Sequence, residues 1–209
     1  MIVRTITCMS FLTAVALGIL VSTDWIDPPL ARCGGEEVYV RPGDAPRLLF
    51  PEGTSIEKRT VALTPELRGA MARLIAPTQP SLWEGAIPVY IVSTGSTVIG
   101  YAVVVNEIGK HRPITFVVGV TPDEKVSGIE IMVYREPKGG EVRMKGFLKQ
   151  YQGKDLGQPI LAGRDIASIS GATLSVRAVN RGAKKALALV HFVYGPPRTA
   201  RAPGGIRVP

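Results

Sequence analysis

Ser170-Gly171-Ala172-Thr173 leads into Leu174-Ser175-Val176-Arg177-Ala178-Val179-Asn180-Arg181-Gly182-Ala183-Lys184-Lys185-Ala186-Leu187-Ala188-Leu189-Val190. Apolar residues recur at 176, 179, 183, 186, 187 and 190, the spacing of one buried helical face. Arg177, Arg181, Lys184 and Lys185 read as the opposite, solvated side. The tetrapeptide therefore lies where a loop becomes a helix. The first turn of a helix has N–H groups without intrahelical partners and the positive end of the macrodipole. Gly171 and Ala172 are small, so a ligand can approach the backbone closely. Ser170, Gly171, Ala172, Thr173, Leu174 and Ser175 together form a candidate phosphate site. On spacing alone, Ser170 or Thr173 reads as an N-cap worth about 1 kcal/mol, since short motifs match by chance.

Upstream of this helix the chain is rich in strands. Val89–Val92 is short, while Gly100–Val105 and Thr115–Val120 are β-branched, continuous runs expected to be buried on both faces. Thr121-Pro122-Asp123-Glu124-Lys125 is a turn. In Val126–Tyr134, alternation puts Ile129, Ile131 and Val133 on one side, with Glu130 and Met132 on the other. Short links predict an antiparallel meander, and strands followed by a helix predict an α+β fold, an antiparallel sheet with packed helices. Arg135-Glu136-Pro137-Lys138-Gly139-Gly140 follows the last strand and reads as a turn. A short helix after it should turn Phe147, Leu148 and Tyr151 inward, and Tyr101 also reads as core.

Ser-Gly-Ala-Thr followed by Leu-Ser resembles the flavinylation motif of the FMN-binding domain family, a family with members in membrane-bound respiratory complexes. The resemblance covers residues 85–195. It implies FMN held by a phosphoester on Thr173, attached by a flavin transferase. It also implies that Glu136 and Gly139 lie near the flavin. The family usually has Asp three residues before the motif serine. Here that position is Ala167, and Asp165 lies two residues further back.

The remaining sequence sets the context. Residues 5–23 carry no charge, with Arg4 before them and Asp24 and Asp27 after. They read as a signal peptide or a membrane anchor that sends the rest of the chain across the membrane, to a periplasmic or extracytoplasmic location. The domain plan is 1–33 signal or anchor helix, 34–84 linker and N-terminal helical segment, 85–195 FMN-binding domain, and 196–209 a disordered basic tail. Residues 34–60 read as linker. Thr64-Pro65-Glu66 starts a helix whose buried stripe is Leu67, Met71 and Leu74.

Two cysteines and two histidines exclude a disulfide framework, a thiolate or histidine metal centre and Cys-x-x-Cys-His haem attachment. A net charge of +8 comes without a nucleic-acid recognition motif, so nucleic acid is not expected as a partner. Metalloprotease, nucleophile-elbow, phosphate-loop and dinucleotide-fingerprint motifs are absent. What remains is a cofactor that brings its own reactivity. The first reading is an electron carrier, rather than a stand-alone enzyme, with covalent FMN on Thr173 that relays electrons between membrane-bound redox partners. The alternative is a module that holds FMN or another phosphorylated ligand non-covalently and senses redox state. A flavin-dependent reductase is a third reading, one without convergent acid–base residues to support it.

Overall fold

The β-branched runs pair with their neighbours in sequence. The computed structural model describes residues 37–195, so the expected anchor at 1–33 and the expected tail at 196–209 lie outside the described residues. The elements are β1 (Glu37–Val38), α1 (Ala45–Leu49), β2 (Ser55–Ala62), α2 (Pro65–Leu74), β3 (Ala86–Thr94), β4 (Thr97–Ile108), β5 (Pro113–Val120), β6 (Val126–Tyr134), α3 (Lys145–Leu148) and α4 (Thr173–Val193). Single 3-10 turns flank α3 at Gly140–Arg143 and Lys149–Tyr151. The sheet has six strands in the order β1-β6-β5-β4-β3-β2, and every pair is antiparallel. The expected α+β class and meander are therefore found.

One expected linker is not a linker. Ser55–Ala62, most of it inside the stretch 34–60, pairs with β3 along its whole length and forms an edge strand. Its polar run, Glu57, Lys58, Arg59 and Thr60, reflects an edge strand open to water and not a free chain.

Both faces of the sheet are covered, as the apolar runs required. On one face Val103, Val105, Ile114, Phe116, Val118 and Ile131 meet α2, α3 and α4. On the other, Ala102, Val104, Val117 and Met132 meet α1 and Phe50. Helix α4 approaches closely because Gly182 has no side chain; a Cβ there would overlap the Phe116 ring. Thr64 caps α2, its hydroxyl accepting the Leu67 N–H at 3.3 Å. Leu67 and Met71 are buried as expected, but Leu74 is 39% exposed and Ile75 completes the stripe. The buried positions 67, 71 and 75 follow the i, i+4 row.

Two lysines of α4 depart from the sequence reading. Lys185 is 0% exposed and Lys184 is also buried. The segment after α2 crosses that side of the helix, and its carboxylate reaches inward. Lys185 Nζ donates to Ser81 O at 2.6 Å and to both oxygens of Glu84 at 2.8 and 2.9 Å. Glu107, fully buried, accepts from the Ser81 N–H and from Arg181 Nε at 3.1 Å. Burial pushes the Glu107 carboxyl above its ordinary range, and Lys185 and Arg181 draw it back. The cluster fastens segment 81–84 between β4 and α4. Burial likewise pulls the Lys184 ammonium down, opposed by the charge of Asp165. Phe147, Leu148 and Tyr151 do face inward, with the Tyr151 hydroxyl 2.5 Å from the Asn180 amide. Tyr101 is only partly buried and stacks on Tyr194, 4.6 Å between centroids.

Candidate functional site

Helix α4 begins without a side-chain cap. Ala172 occupies the N-cap position and Thr173 is the first helical residue. This corrects the reading of Ser170 or Thr173 as an N-cap: neither hydroxyl closes the helix. The first ladder bond runs from Val176 N–H to Ala172 O at 2.9 Å, so the N–H groups of Thr173, Leu174 and Ser175 precede it. Gly171 has φ of 79° and an added Cβ would meet nothing within 4 Å. Ser170, Gly171, Thr173 and Leu174 are exposed, and Ala172 and Ser175 are buried.

The loop after β6 abuts this helix start, and a strand irregularity brings it there. Thr115 faces Val133, but Phe116 faces Ile131, so Met132 is an extra residue in β6. The bulge rotates the strand's end. Val133 therefore packs with Met132 on the α1 side, not with Ile129 and Ile131 as alternation predicts. Tyr134 turns to the α4 side. Its hydroxyl donates to Lys138 O at 2.7 Å and lies 2.9 Å from Ser175 Oγ. Burial raises the Tyr134 pKa, and the Ser175 hydrogen bond lowers it in part. This places Gly139 against α4. Gly139 has φ of 85°, and a Cβ there would lie 2.9 Å from Ser175 Oγ and 3.4 Å from Ala172 Cα.

Glu136 is buried, and its carboxylate is engaged by the turn between β4 and β5. Oε1 accepts the His111 N–H at 2.5 Å and the Arg112 N–H at 2.9 Å. Burial pulls its pKa up, but donation from the N–H groups of Arg112, His111 and Lys110 outweighs burial and holds the carboxyl below the ordinary range.

Three adjoining clefts share Pro137. One of about 430 Å³ is lined by Lys110, Glu136, Lys138 and residues 171–175. A second of about 650 Å³ runs past Gly139 to Arg143 and Met144. A third of about 410 Å³ lies between His111, Arg112 and Arg135. The structure thus brings Gly171, Ala172, Thr173, Leu174, Ser175, Glu136 and Gly139 to one place, with exposed Ser170 next in the chain. Exposed glycine backbone, helical N–H groups and a threonine hydroxyl in an open cleft suit a phosphate and an attached planar ring. The residues present fit FMN.

Asp165 does not stand in for an acid at position 167. It pairs with Lys154 at 3.0 Å and accepts the Ile160 and Leu161 N–H groups at 3.0 and 2.7 Å. Ala167 is exposed, and its N–H donates to Gln150 Oε1.

The sequence reading did not single out Tyr134, Lys110 or Lys138. Lys110 sits in a polar stretch between two apolar runs, which marks a hairpin turn but not which site the turn would reach. Tyr134 could be found only by knowing the bulge.

A family model described as FMN-binding domain matches residues 109–188. No curated protein sequence matches the chain. Among solved structures, the crystal structure of Shewanella oneidensis NqrC is similar, with a TM-score of 0.47 and 19% identity over 68% of this chain and 81% of that one.

Proposed function

We propose that this chain, which over residues 109–188 is an FMN-binding domain, carries FMN covalently on Thr173 Oγ and relays electrons between membrane-bound respiratory components outside the cytoplasm. The observation that carries the covalent assignment is the exposed Thr173 hydroxyl, first in an uncapped helix and open to the cleft. Bound FMN supplies one- or two-electron chemistry.

The chain's own residues bind and orient. The N–H groups of Thr173, Leu174 and Ser175 and the helix dipole stabilise phosphate charge. Tyr134 and Ser175 fix the Pro137–Gly140 loop beside it. Attachment forms a bond from Thr173 Oγ to the flavin phosphorus. The bond from that phosphorus to the leaving group of a nucleotide-activated flavin donor breaks, and the hydroxyl proton passes to a base of the transferase. The exported location and the membrane partners belong to the same reading and rest on residues 5–23. Protection of the domain from protease in intact cytoplasm-bounded vesicles, against its cleavage in whole spheroplasts, tests the location.

The attachment test is a denaturing gel of protein made in a host with a flavin transferase. Flavin fluorescence in the band, with the adduct located on Thr173 by peptide mass spectrometry, is the expected result. Thr173→Ala should give a dark band from a protein that still folds. Fluorescence persisting in that variant sinks the assignment.

A second reading, non-covalent FMN binding with a sensory role, has one observation in its favour. Position 167 has no carboxylate and Asp165 is held by Lys154 and two N–H groups. Flavin released on denaturation, despite an active transferase, selects that reading.

A further inference from the structure

The clefts around Thr173 carry exposed cations without a carboxylate partner among the described residues; one of them, Arg143, also donates to Gly140 O at 3.0 Å and lies over the Tyr39 ring. Lys110, Arg112, Lys138 and Arg143 line them and are exposed. None of the four forms an ion pair among the described residues. Elsewhere, three cations that touch the core are matched: Lys185 with Glu84, Arg181 with Glu107, Lys154 with Asp165. The clefts hold two carboxylates, Glu136 and Glu141, and Glu136 is already engaged by backbone N–H groups. Two apolar side chains lie open beside the cations: Met144 is 62% exposed and Leu174 is 41% exposed.

We infer that this face is the docking surface for an acidic redox protein, and the inference rests on the flavin reading above. A ring of cations with apolar side chains among them is the arrangement by which charge steers encounter and apolar contact holds the complex. The cations line concave clefts, so the matching surface protrudes. Acidic side chains on a protein knob can reach Lys110 and Lys138 together, whereas a planar bilayer would meet only the rim.

The test uses flavin-loaded full-length protein and charged probes. Ferricyanide, an anionic one-electron acceptor, and hexaammineruthenium, a cationic one, are compared on the reduced flavin, with rates expressed per flavin bound. Ferricyanide should gain roughly tenfold between high and low salt, and the cation should lose. Arg112→Glu with Arg143→Glu should remove most of that gain. Arg47→Glu with Lys58→Glu, on the α1 side of the sheet, should change it less than about twofold if local charge and not the net charge decides. Equal effects of the two pairs, or rates indifferent to salt, overturn the inference. Poly-L-glutamate binding provides an arm that needs no flavin. If the chain carries no flavin, the functional reading fails, and rim-dependent binding of this polymer still decides the surface. Binding to vesicles containing anionic phospholipid that depends on the rim more than polyglutamate binding does would reassign the face to the membrane and overturn the inference.

Discussion

Two of the places where helix α4 meets polar chemistry, around Lys185 and at Thr173, are treated in opposite ways. Around Lys185 every charge is matched: the ammonium has Glu84, Glu107 and a carbonyl, and Arg181 bridges Glu107 and Ile108 O. At Thr173 the helical N–H groups have no side-chain cap, the hydroxyl is exposed and the neighbouring cations have no carboxylate partner among the described residues. Buried charge is tolerated only when paired and hydrogen-bonded. The first region is therefore a fastening of the fold. The second leaves its polar capacity to something outside the chain. The same residue types serve both, so it is completion of partners, not composition, that separates structure from site.

The contrast can be broken most forcefully at Lys185. Lys185→Ala leaves Glu84 and Glu107 buried without their ammonium and should cost about 3–5 kcal/mol. Chemical denaturation reads this directly, and the flavin content of the molecules that still fold should match the parent. A loss under about 1 kcal/mol would mean that the cluster is not a fastening. Gly139→Ala lies nearer the boundary between the two kinds of region. Its positive φ and its crowding by Ser175 and Ala172 should cost about 1–3 kcal/mol. Unlike Lys185→Ala it should also lower flavin attachment, because the loop must move from the helix start; unchanged labelling would remove Gly139 from the site.

Glu136→Gln sharpens the comparison with the smallest effect. Glu136 is a site residue with a fastened carboxylate, and losing the charge-assisted bonds should cost about 1 kcal/mol at neutral pH. Its folded pKa is lowered, so the stability it adds is present above the ordinary carboxylate range and is lost as pH falls through the folded value. Parent and variant should therefore converge in acid. Denaturation midpoints measured across that range check it, and curves that stay parallel contradict it.

How much could be read beforehand follows the range of the interactions involved. The α4 face and the strands β4 and β5 follow from period and β-branching, which are local. The burial of Lys185 does not, because its partner Glu84 lies 101 residues earlier. Strand β2 was hidden by its charge, since an edge strand needs few apolar residues. The motif threonine was legible as a motif, but the uncapped state of its helix was not: a Ser and a Thr beside a helix start look the same whether or not they turn back onto it. Tyr134 was illegible because a bulge is a slip of pairing and changes no residue type.

That slip makes the site a matter of parity. From Ile129 to Tyr134, whether a side chain faces α4 or α1 depends on an odd or even count, and the extra Met132 changes the count just before Tyr134. Removing one residue between Ile131 and Tyr134 would cancel the bulge and leave the tyrosine two residues after Ile131, still on the α4 face. Removing two would carry it to the other face. Lys138 O and Ser175 would then lose their shared partner together. Along this strand, length divides into allowed and forbidden steps, and a side chain 41 residues away in sequence depends on which step is taken.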